Sequence, residues 1–596
     1  MDKPFRDGVG HRRAAAFVFC LALSLSFTGL FYAALSADHL NIYEVVRIAL
    51  LFISTLWLSW GGATVLLGLL YGRSVKPLDA DPRALPASAT AILMPIYHED
   101  APEVAARLAA MMDDLRAKNA THLFHWHVLS DSRNDEIAVQ EEQVVRQLVA
   151  RYPEQKIFYR RRTDNHGRKA GNVAEFVQRC GGAYRYMVVL DADSLMRADT
   201  LVHMVGRMEA EPNLGLLQTV PMLVGLKSYF GRSLMFASGM FGRAYAFGLA
   251  AMQGECGPFW GHNAIIRTRA FASSCGLPEL DDTAAFGGHI LSHDSVESVL
   301  LARAGWQVEC DPRITGSYEA APENILGYAA RDRRWCQGNL QHSRVVGARA
   351  LKPWGRFSLM LGIMSYLSSP VWAAFLLASL FAPLDLPVLE AYTFKNHLPV
   401  LGHIPMSAAY EGAALLFGVV ALLVLPKTLV VLKEVFLGDQ TTSRKGVLGG
   451  FVELISSAVF APVLMAFQCR SVFEVLMGRD SGWTNAHRDA ARLPLLECLR
   501  SVWWVSVIGA LAMGLSWIGE AALWLWVMPV ALPMLLAPFI IWASSYNVGS
   551  RAAERLGFVL SSDQKGAAQL LAHVEKYSAD LRYNPFICAL RATSTS

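Results

Sequence analysis

Two aspartates that could bind a metal ion stand one residue apart after an apolar run. Residues 188–190 are Val, Val and Leu, and Asp191 and Asp193 follow them closely. Because side chains alternate along a strand, both carboxylates point to the same side of the strand end. Mg²⁺ and Mn²⁺ prefer oxygen ligands and often share their coordination shell with substrate phosphate. The pair therefore predicts a divalent metal site that offsets charge on a departing diphosphate, although a strand-ending turn uses the same residue types.

Two further acids follow the first two apolar runs of the same region. Glu99 comes after the run at 90–94, and Asp131 comes after the run at 125–129. A carboxylate at either position could accept hydrogen bonds from the NH and OH groups of a uracil ring and a ribose. Either acid could instead cap the next helix. We favour the ligand role for Asp131, and both roles stay open for Glu99.

Two basic segments have the composition of a diphosphate-binding site. The loop at 165–172 carries Lys169 between glycines that let the backbone approach a ligand, and Arg331, Arg334 and Trp335 lie in one later segment. Guanidinium groups can clamp a diphosphate, and an indole can stack on the face of a sugar. We predict that these residues bind the diphosphate, with Trp335 at the sugar. A solvated basic turn and a core tryptophan are the structural alternatives.

A carboxylate beside an imidazole follows farther along the chain, at Asp294 and His293. A sugar hydroxyl that attacks an activated sugar must lose its proton, and a carboxylate can accept it. We therefore predict that Asp294 is the general base. The structural alternative is a helix start, with Ser292 as the N-cap and Asp294 stabilising the helix dipole.

The elements that must position these residues read as strands of one sheet. Short apolar runs alternate with helical stretches and each run ends at a polar cluster, which indicates an α/β domain with parallel strands. The predicted strands are residues 90–94, 125–129, 156–159, 186–190 and 214–217. Ligands of such sheets bind beyond the carboxyl ends of the strands, so one shared site is the economical interpretation. The sequence has no G-x-x-x-x-G-K-[ST] motif, which argues against a P-loop ATPase.

The composition requires two environments in one chain. Of the 596 residues 53% are apolar and 17% are charged, and the mean hydropathy is +0.30. The net charge of only +4 gives no reason to expect a nucleic acid partner. The nine cysteines are scattered, without the paired spacing of a disulfide framework or a cysteine zinc site.

Long uncharged runs predict six membrane spans. They occupy residues 14–35, 48–71, 357–384, 412–426 with its extension 429–432, 501–519 and 521–550. We interpret a seventh run, 454–469, as an interfacial or re-entrant helix, because counting it as a span would place the basic segments after it outside the cell. The distribution of lysine and arginine predicts that the N-terminus and the central region lie in the cytosol.

These features divide the chain into four parts. A helix at 223–249 could seat the central domain on the bilayer or be an ordinary core helix. The predicted parts are an N-terminal arm with two spans at 1–71, a cytosolic α/β domain at 72–350, a helical membrane region at 351–550 with an interfacial segment 447–478 and a loop 477–500, and a cytosolic tail at 551–596.

Four sequence motifs carry a family resemblance. They are Phe-Trp-Gly-His-Asn-Ala-Ile-Ile-Arg at 259–267, Ile-Leu-Ser-His-Asp at 290–294, Gly-Ser-Tyr-Glu at 316–319 and Arg-Asp-Arg-Arg-Trp-Cys at 331–336. With the acids described above, the chain resembles the processive family 2 glycosyltransferases, such as cellulose and hyaluronan synthases, over most of its length. More narrowly, it is similar to the glucosyltransferases that make osmoregulated periplasmic glucans.

The resemblance implies a GT-A fold, which is an α/β Rossmann-like architecture, in the cytosol at a bacterial inner membrane. It implies UDP-glucose as the donor, a divalent metal ion, inversion at the anomeric carbon and a β-1,2-linked glucan passed toward the periplasm. By position, Asp131 would contact uridine, Asp191 and Asp193 the metal diphosphate, and Asp294 the acceptor hydroxyl. Arg334 and Trp335 would act at the diphosphate and the acceptor end. The acceptor site would comprise Trp260, His262, Asn263, His293 and Trp335.

The resemblance also implies binding partners and a loop that closes over the donor. Acyl carrier protein and periplasmic glucan-modifying proteins are implied partners, besides the growing glucan and the lipid bilayer. The segment 477–483 resembles a gating loop that closes over the donor, with a solvated connector as the alternative.

The chain departs from the cellulose synthase pattern at two positions. Ser292-His293-Asp294 replaces Thr-Glu-Asp, and Arg331 replaces the Gln of Gln-x-x-Arg-Trp. The two departures leave the reaction class unchanged and predict a differently shaped acceptor pocket. The alternatives are a β-1,4 or β-1,3 glucan synthase, a single-transfer enzyme acting on a lipid phosphate, and a transporter that only binds nucleotide.

Overall fold

Two apolar helices begin the part of the chain that the computed structural model describes. They are α1 (Val9–Leu35) and α2 (Ile42–Tyr71). Asn41 starts α2 through a capping box, because its side chain accepts from Glu44 N while Glu44 accepts from Asn41 N. The described residues are 7–35, 40–72, 81, 85, 89–281, 286–381, 406–437, 443–479, 492–519 and 521–582.

A mixed sheet forms the centre of the α/β domain. The strands are β1 (Thr90–Ile96), β2 (Phe124–Ser130), β3 (Lys156–Arg161), β4 (Tyr186–Val189), β5 (Leu195–Met196), β6 (Leu214–Gln218), β7 (Met222–Leu223), β8 (Ala264–Arg267), β9 (Gln307–Cys310) and β10 (Ser317–Glu319). The larger sheet has the order β3-β2-β1-β4-β8-β6-β9, and β8 runs antiparallel to both of its neighbours. β10 lies between β5 and β7 in a small second sheet. The five predicted strands are confirmed, whereas β8 departs from the predicted parallel pattern.

Further helices accompany the strands of the α/β domain. They are α3 (Ala101–Ala117), α4 (Asp135–Arg151), α5 (Arg168–Cys180), α6 (Ala198–Ala210), α7 (Tyr229–Ala237), α8 (Arg243–Gln253), α9 (Thr268–Ser274), α10 (His293–Arg303) and α11 (Ile325–Val345). Alternate residues of β4 enter different cores, since Val188 packs in one and Met187 and Val189 pack in the other. Burial on both faces explains why this strand is uniformly apolar.

A helical segment from Tyr229 to Gln253 joins the α/β domain to α2. It consists of α7 and α8 with a π-helical turn between them. A methyl group on Gly68 would lie 1.7 Å from Ala244 O, and one on Gly248 would lie 1.8 Å from Thr64 O. Small residues spaced by four positions therefore let the two backbones touch. The predicted helix at 223–249 is present, although it starts and ends later.

The remaining long helices are strongly apolar. They are α12 (Pro353–Phe381), α13 (Met406–Leu437), α14 (Ser443–Leu476), α15 (Leu495–Gly519), α16 (Ala521–Leu535) and α17 (Ala537–Ser544). Among the described residues, six helices are long and apolar enough to cross a membrane: α1, α2, α12, α13, α14 and α15. α16 and α17 form a pair bent by 63° that would make a seventh span. The set thus differs from the predicted one, because α14 meets the criterion and 521–550 is a broken element.

Contacts at both ends of α14 lie on the side of the α/β domain. Near its start, Lys445 Nζ lies 3.4 Å from Glu554 Oε2. Near its end, Arg333 Nε of α11 lies 3.2 Å from Glu474 Oε2. A helix of this length extends about 50 Å. α14 therefore lies along the domain, and the interfacial position of the segment 447–478 stays a prediction.

The C-terminal segment is an integral part of the α/β domain. It contains α18 (Ser550–Arg555), α19 (Ser562–Gly566) and α20 (Ala568–Arg582). Leu570 and Val574 of α20 enter the core beneath the sheet. Arg582 Nη2 pairs with Asp100 Oδ2 at 3.0 Å, and the Tyr577 hydroxyl bonds to Asp113. The segment predicted as a separate tail thus completes the domain through residue 582.

Candidate active site

Asp191 and Asp193 are held in a turn directly after β4. The Asp191 amide donates to Ser194 Oγ at 2.9 Å, and Ser194 N donates to Asp191 O at 3.0 Å. From α3, Arg107 Nη1 donates to Asp193 O at 3.0 Å. Asp193 is buried and Asp191 is partly exposed. The turn therefore fixes two neighbouring carboxylates at the carboxyl edge of the sheet, as predicted.

Lys169 links this turn to the loop before β8. Its ammonium group pairs with Asp191 Oδ1 and donates to Gly261 O at 2.8 Å. Two glycines make this position possible. Gly167 starts α5 with φ of 68°, and a methyl group on Gly171 would lie 2.0 Å from His166 O. The predicted basic loop does reach the paired aspartates.

Asp294 faces the same loop from the first turn of α10. A methyl group on Gly261 would lie 3.2 Å from Asp294 Oδ2. The Gly261 carbonyl in turn accepts from Lys169, which pairs with Asp191. Asp294 Oδ1 accepts from Ser295 N at 2.9 Å, which fixes the carboxylate. Asp294 and the paired aspartates thus lie in one cleft.

One face of α11 forms another wall of the cleft. Arg331, Arg334, Trp335 and Gly338 are spaced by three or four residues, so they share this face. At Gly338 the helix packs so closely on Ser292 that a methyl group would lie 2.3 Å from Ser292 Oγ. The Arg331 guanidinium lies 4.8 Å from the centre of the Trp335 ring, and Trp335 is 51% exposed. This exposed indole is available to a sugar ring.

Glu319 at the end of β10 is a site residue that was not predicted. It lies 3.4 Å from His262 Nε2 and 3.8 Å from Arg331 Nη2. Burial raises the pKa of Glu319, and the negative charges of Asp193 and Asp191 raise it further against the opposing effect of His262 and Arg331. The Gly-Ser-Tyr-Glu motif contains this residue, but only the pairing of β10 brings it to the cleft.

Asp191 and Asp193 offer carboxylate oxygens at this end of the cleft, and Glu319 lies near them. Asp191 and Asp193 lie close enough to Glu319 to affect its pKa, so three acids share one region. Hard divalent cations favour such ligands over nitrogen and sulfur. The residues present therefore fit Mg²⁺ or Mn²⁺.

Asp131 and Glu99 lie at the same edge of the sheet, but neither caps a helix. The N-caps of α3 and α4 are Asp100 and Asn134. Asp131 is buried and accepts from Arg162 Nε at 2.6 Å and from Arg162 Nη2 at 2.7 Å. A carboxylate can accept about four hydrogen bonds, so the predicted contact with uridine would have to share Asp131 with this arginine.

Three residues predicted for the acceptor site are wholly or largely buried. Asn263 is fully buried and donates to Ser317 Oγ at 2.9 Å and to Tyr318 O at 3.1 Å, so it attaches β8 to β10. His262 is buried against Glu319.

His293 is the third of these residues. Its Nδ1 lies 3.2 Å from Glu297 Oε1, and its side chain is largely buried. Burial favours the neutral imidazole, but the Glu297 and Asp294 carboxylates together raise the pKa of His293. Packing already engages polar groups of Asn263 and His262, and direct acceptor contact by Asn263, His262 and His293 stays a prediction. Trp260 is partly exposed and stays a candidate.

Comparisons with known proteins agree with this architecture. The family model for glycosyl transferase family 2 matches residues 91–273, and that for glycosyl transferase family group 2 matches residues 186–419. The glucans biosynthesis glucosyltransferase H of Cereibacter sphaeroides is 42% identical over 94% of this chain and 93% of its own length. The protein of the same name from Xylella fastidiosa is 36% identical over 95% of this chain and 90% of its own length.

Among solved structures, S. aureus TarS matches 65% of this chain and 55% of its own with a TM-score of 0.26 and 9% identity, too little to bear on the fold. The sheet, the cleft and the family models define a membrane-bound family 2 glycosyltransferase. Within that class, the chain belongs to the family of the glucans biosynthesis glucosyltransferase H proteins.

Proposed function

We propose that this enzyme transfers glucose from UDP-glucose to the end of a growing β-1,2-linked glucan. One observation carries the proposal: Asp294 lies against Gly261, whose carbonyl is bound by the Lys169 that pairs with Asp191. The residues that we propose as general base and as diphosphate ligands therefore lie close together. The shared name of the relatives supports a glucan product.

A divalent metal ion fits the donor end of the cleft. Asp191 and Asp193 would hold Mg²⁺ or Mn²⁺, which neutralises charge on the diphosphate when bound. Lys169 and Arg331 add positive charge from two other walls.

The residues of the cleft account for a single displacement. Asp294 accepts the proton of the acceptor hydroxyl while the hydroxyl oxygen forms a bond to C1 of glucose. The bond from C1 to the phosphate oxygen breaks, and UDP leaves with the electron pair from the opposite face, which inverts C1. Arg334 would stabilise the departing diphosphate, and Trp335 would hold the terminal sugar of the acceptor.

Contacts of the chain ends support a cytosolic catalytic domain at the bacterial inner membrane. Arg12 Nε donates to Ala251 O at 2.6 Å, and Arg13 Nε donates to Met252 O at 2.8 Å, so the start of α1 lies on this domain. The C-terminal segment also packs on it. With α14 along the domain, six crossings remain, and the start of α1 and the described C-terminal segment lie on the lysine-rich and arginine-rich side. The spans would then carry the glucan toward the periplasm.

Two predictions lie outside this geometry. Residues 480–491 of the predicted gating loop are not among the described residues. The partnership with acyl carrier protein and with periplasmic glucan-modifying proteins stays a prediction.

Release of UDP tests the proposed chemistry. The purified full-length protein should release UDP from UDP-glucose in the presence of Mg²⁺ and a glucan acceptor. Asp294→Asn should abolish release, and Asp580→Asn, which changes an exposed acid of α20, should leave it unchanged. Equal rates for Asp294→Asn and the unaltered enzyme would refute the assignment, and a nucleotide-binding transporter would release no UDP.

A further inference from the structure

A group of potential metal ligands lies outside the catalytic cleft. The side chains of His166, Glu279 and His289 place one ligand atom each within 4.8 Å of the other two. His166 Nε2 lies 2.7 Å from Glu279 Oε1, and His289 Nδ1 lies 3.9 Å from the same oxygen. The imidazole rings of the two histidines are perpendicular, with centres 4.7 Å apart.

Backbone pairing puts two of the three ligands side by side. Leu280 and Gly288 form an antiparallel bridge, with N to O distances of 3.3 and 3.1 Å. In this register Glu279 stands opposite His289, so their side chains project from neighbouring positions on one face. Their proximity follows from the chain path, and it does not depend on an ion pair between flexible side chains.

The backbone of the segments that carry His166 and His289 is held by hydrogen bonds that do not involve the three ligand side chains. The carbonyl of His166 accepts from Arg162 Nη1 at 3.1 Å. The carbonyl of His289 accepts from Gln341 Nε2 at 3.0 Å, and Leu291 N donates to Gln341 Oε1 at 2.9 Å. Gln341 is buried in α11. The backbone at each ligand is therefore positioned before any ion binds, which lowers the ordering cost of binding.

The donor set differs in kind from that of the catalytic cleft. Two imidazole nitrogens and one carboxylate oxygen suit a borderline transition metal such as Zn²⁺, whereas the cleft acids suit Mg²⁺. All three side chains are accessible to solvent, so water can complete a tetrahedral shell. We propose that His166, Glu279 and His289 bind one Zn²⁺ ion as a second metal site, which goes beyond the proposed transfer reaction.

The ion would join two segments that carry catalytic groups. His166 precedes Lys169 by three residues, and His289 precedes Asp294 by five. Zn²⁺ at this position would join the paired residues 279–280 and 288–289 to the basic loop at 165–172. This link restrains Lys169 and Asp294 relative to each other without contacting either substrate.

Zinc binding can be measured without reference to catalysis. The full-length protein in detergent is stripped of metal and placed in excess Mg²⁺, which occupies the oxygen ligands of the cleft. Zn²⁺ is then titrated in competition with a chromophoric chelator. The unaltered protein should bind one Zn²⁺ per chain, and His166→Gln and His289→Gln should each weaken this affinity about tenfold or more.

Two controls make the titration decisive. His122→Gln changes an exposed histidine outside the cluster and should bind Zn²⁺ like the unaltered protein. The metal-free melting temperature of each cluster variant should equal that of the unaltered protein, because these side chains are partly or largely exposed. Replacing Zn²⁺ by Co²⁺ should give a visible absorption band that both cluster variants lose. Failure of the unaltered protein to bind Zn²⁺ in Mg²⁺, or undiminished binding by both variants, would overturn the proposal.

Discussion

Gly261 packs directly against the carboxylate of Asp294, since a methyl group on Gly261 would lie 3.2 Å from Asp294 Oδ2. Gly261 also has φ of 84°, where a side chain is strained. Its carbonyl binds Lys169 at 2.8 Å. One glycine therefore sets the spacing between the proposed base and the cation beside the paired aspartates.

Gly261→Ala should slow turnover about tenfold or more, equivalent to about 1.4 kcal/mol in the barrier. The added methyl group displaces Asp294, while donor binding depends on other residues, so KM for UDP-glucose should change little. Steady-state UDP release measures both constants. Gly276→Ala is the matched control, because no atom lies within 4 Å of the added carbon. A normal turnover number in Gly261→Ala would contradict this role.

Lys169→Met should strengthen binding of Mn²⁺ in the absence of donor about tenfold, while turnover falls. The ammonium group occupies Asp191 Oδ1 and repels a cation at the same carboxylate. Electron paramagnetic resonance of free Mn²⁺ gives the affinity. Lys156→Met, at an exposed position on β3, should bind Mn²⁺ like the unaltered protein. Weaker Mn²⁺ binding by Lys169→Met would show that Lys169 supports the metal site instead of competing with it.

Glu319→Gln should stabilise the protein at neutral and alkaline pH and lower its activity. The pKa of Glu319 is raised above its ordinary 4.5 by burial first and by nearby acids. Its ionisation thus costs folded-state stability, and this cost appears as pH rises through the raised pKa. Glutamine removes the cost but weakens the contacts with His262 and Arg331.

Thermal unfolding at two pH values measures this effect. The melting temperature of Glu319→Gln should exceed that of the unaltered enzyme by about 2 °C or more near pH 8. Near pH 4.5, where the protonated glutamate is also neutral, the difference should shrink. A gain in the melting temperature of Glu319→Gln that is larger in acid than in alkali would contradict a raised pKa of Glu319.

Asp563→Ala should reduce turnover several-fold, although the residue lies outside the cleft. Its Oδ1 accepts from Gly316 N at 2.9 Å and from the Tyr318 hydroxyl at 3.2 Å. Both partners adjoin or belong to β10, which carries Glu319. UDP release by the purified variant measures the loss. Glu575→Ala, an exposed acid of α20, is the control, and equal rates for both variants would separate the C-terminal segment from catalysis.

The site was predictable where one continuous segment carries both the structure and the chemistry. The apolar run before Asp191 indicates a buried strand, and the acids after it must lie at the carboxyl edge. Lys169 was recognisable for a similar reason, because Gly167 and Gly171 indicate a close approach of the backbone.

Residues that depend on long-range pairing were not predictable. Glu319 reaches the cleft because β10 lies between β5 and β7. The side-chain amide of Asn263 donates hydrogen bonds to the same strand. The ion pair between Asp131 and Arg162 joins the ends of two strands. None of these contacts leaves a local pattern in composition or spacing. The position of α14 likewise becomes evident from the contacts at its two ends and not from its hydropathy.

Linkage analysis of the product tests the proposed function most directly. The full-length protein in proteoliposomes is supplied with labelled UDP-glucose and Mg²⁺, and the product is examined by methylation analysis and mass spectrometry. We expect chains of many 2-linked glucose units, and none from Asp294→Asn. A single glucose on lipid, a 3-linked or 4-linked polymer, or an undiminished product from Asp294→Asn would contradict it.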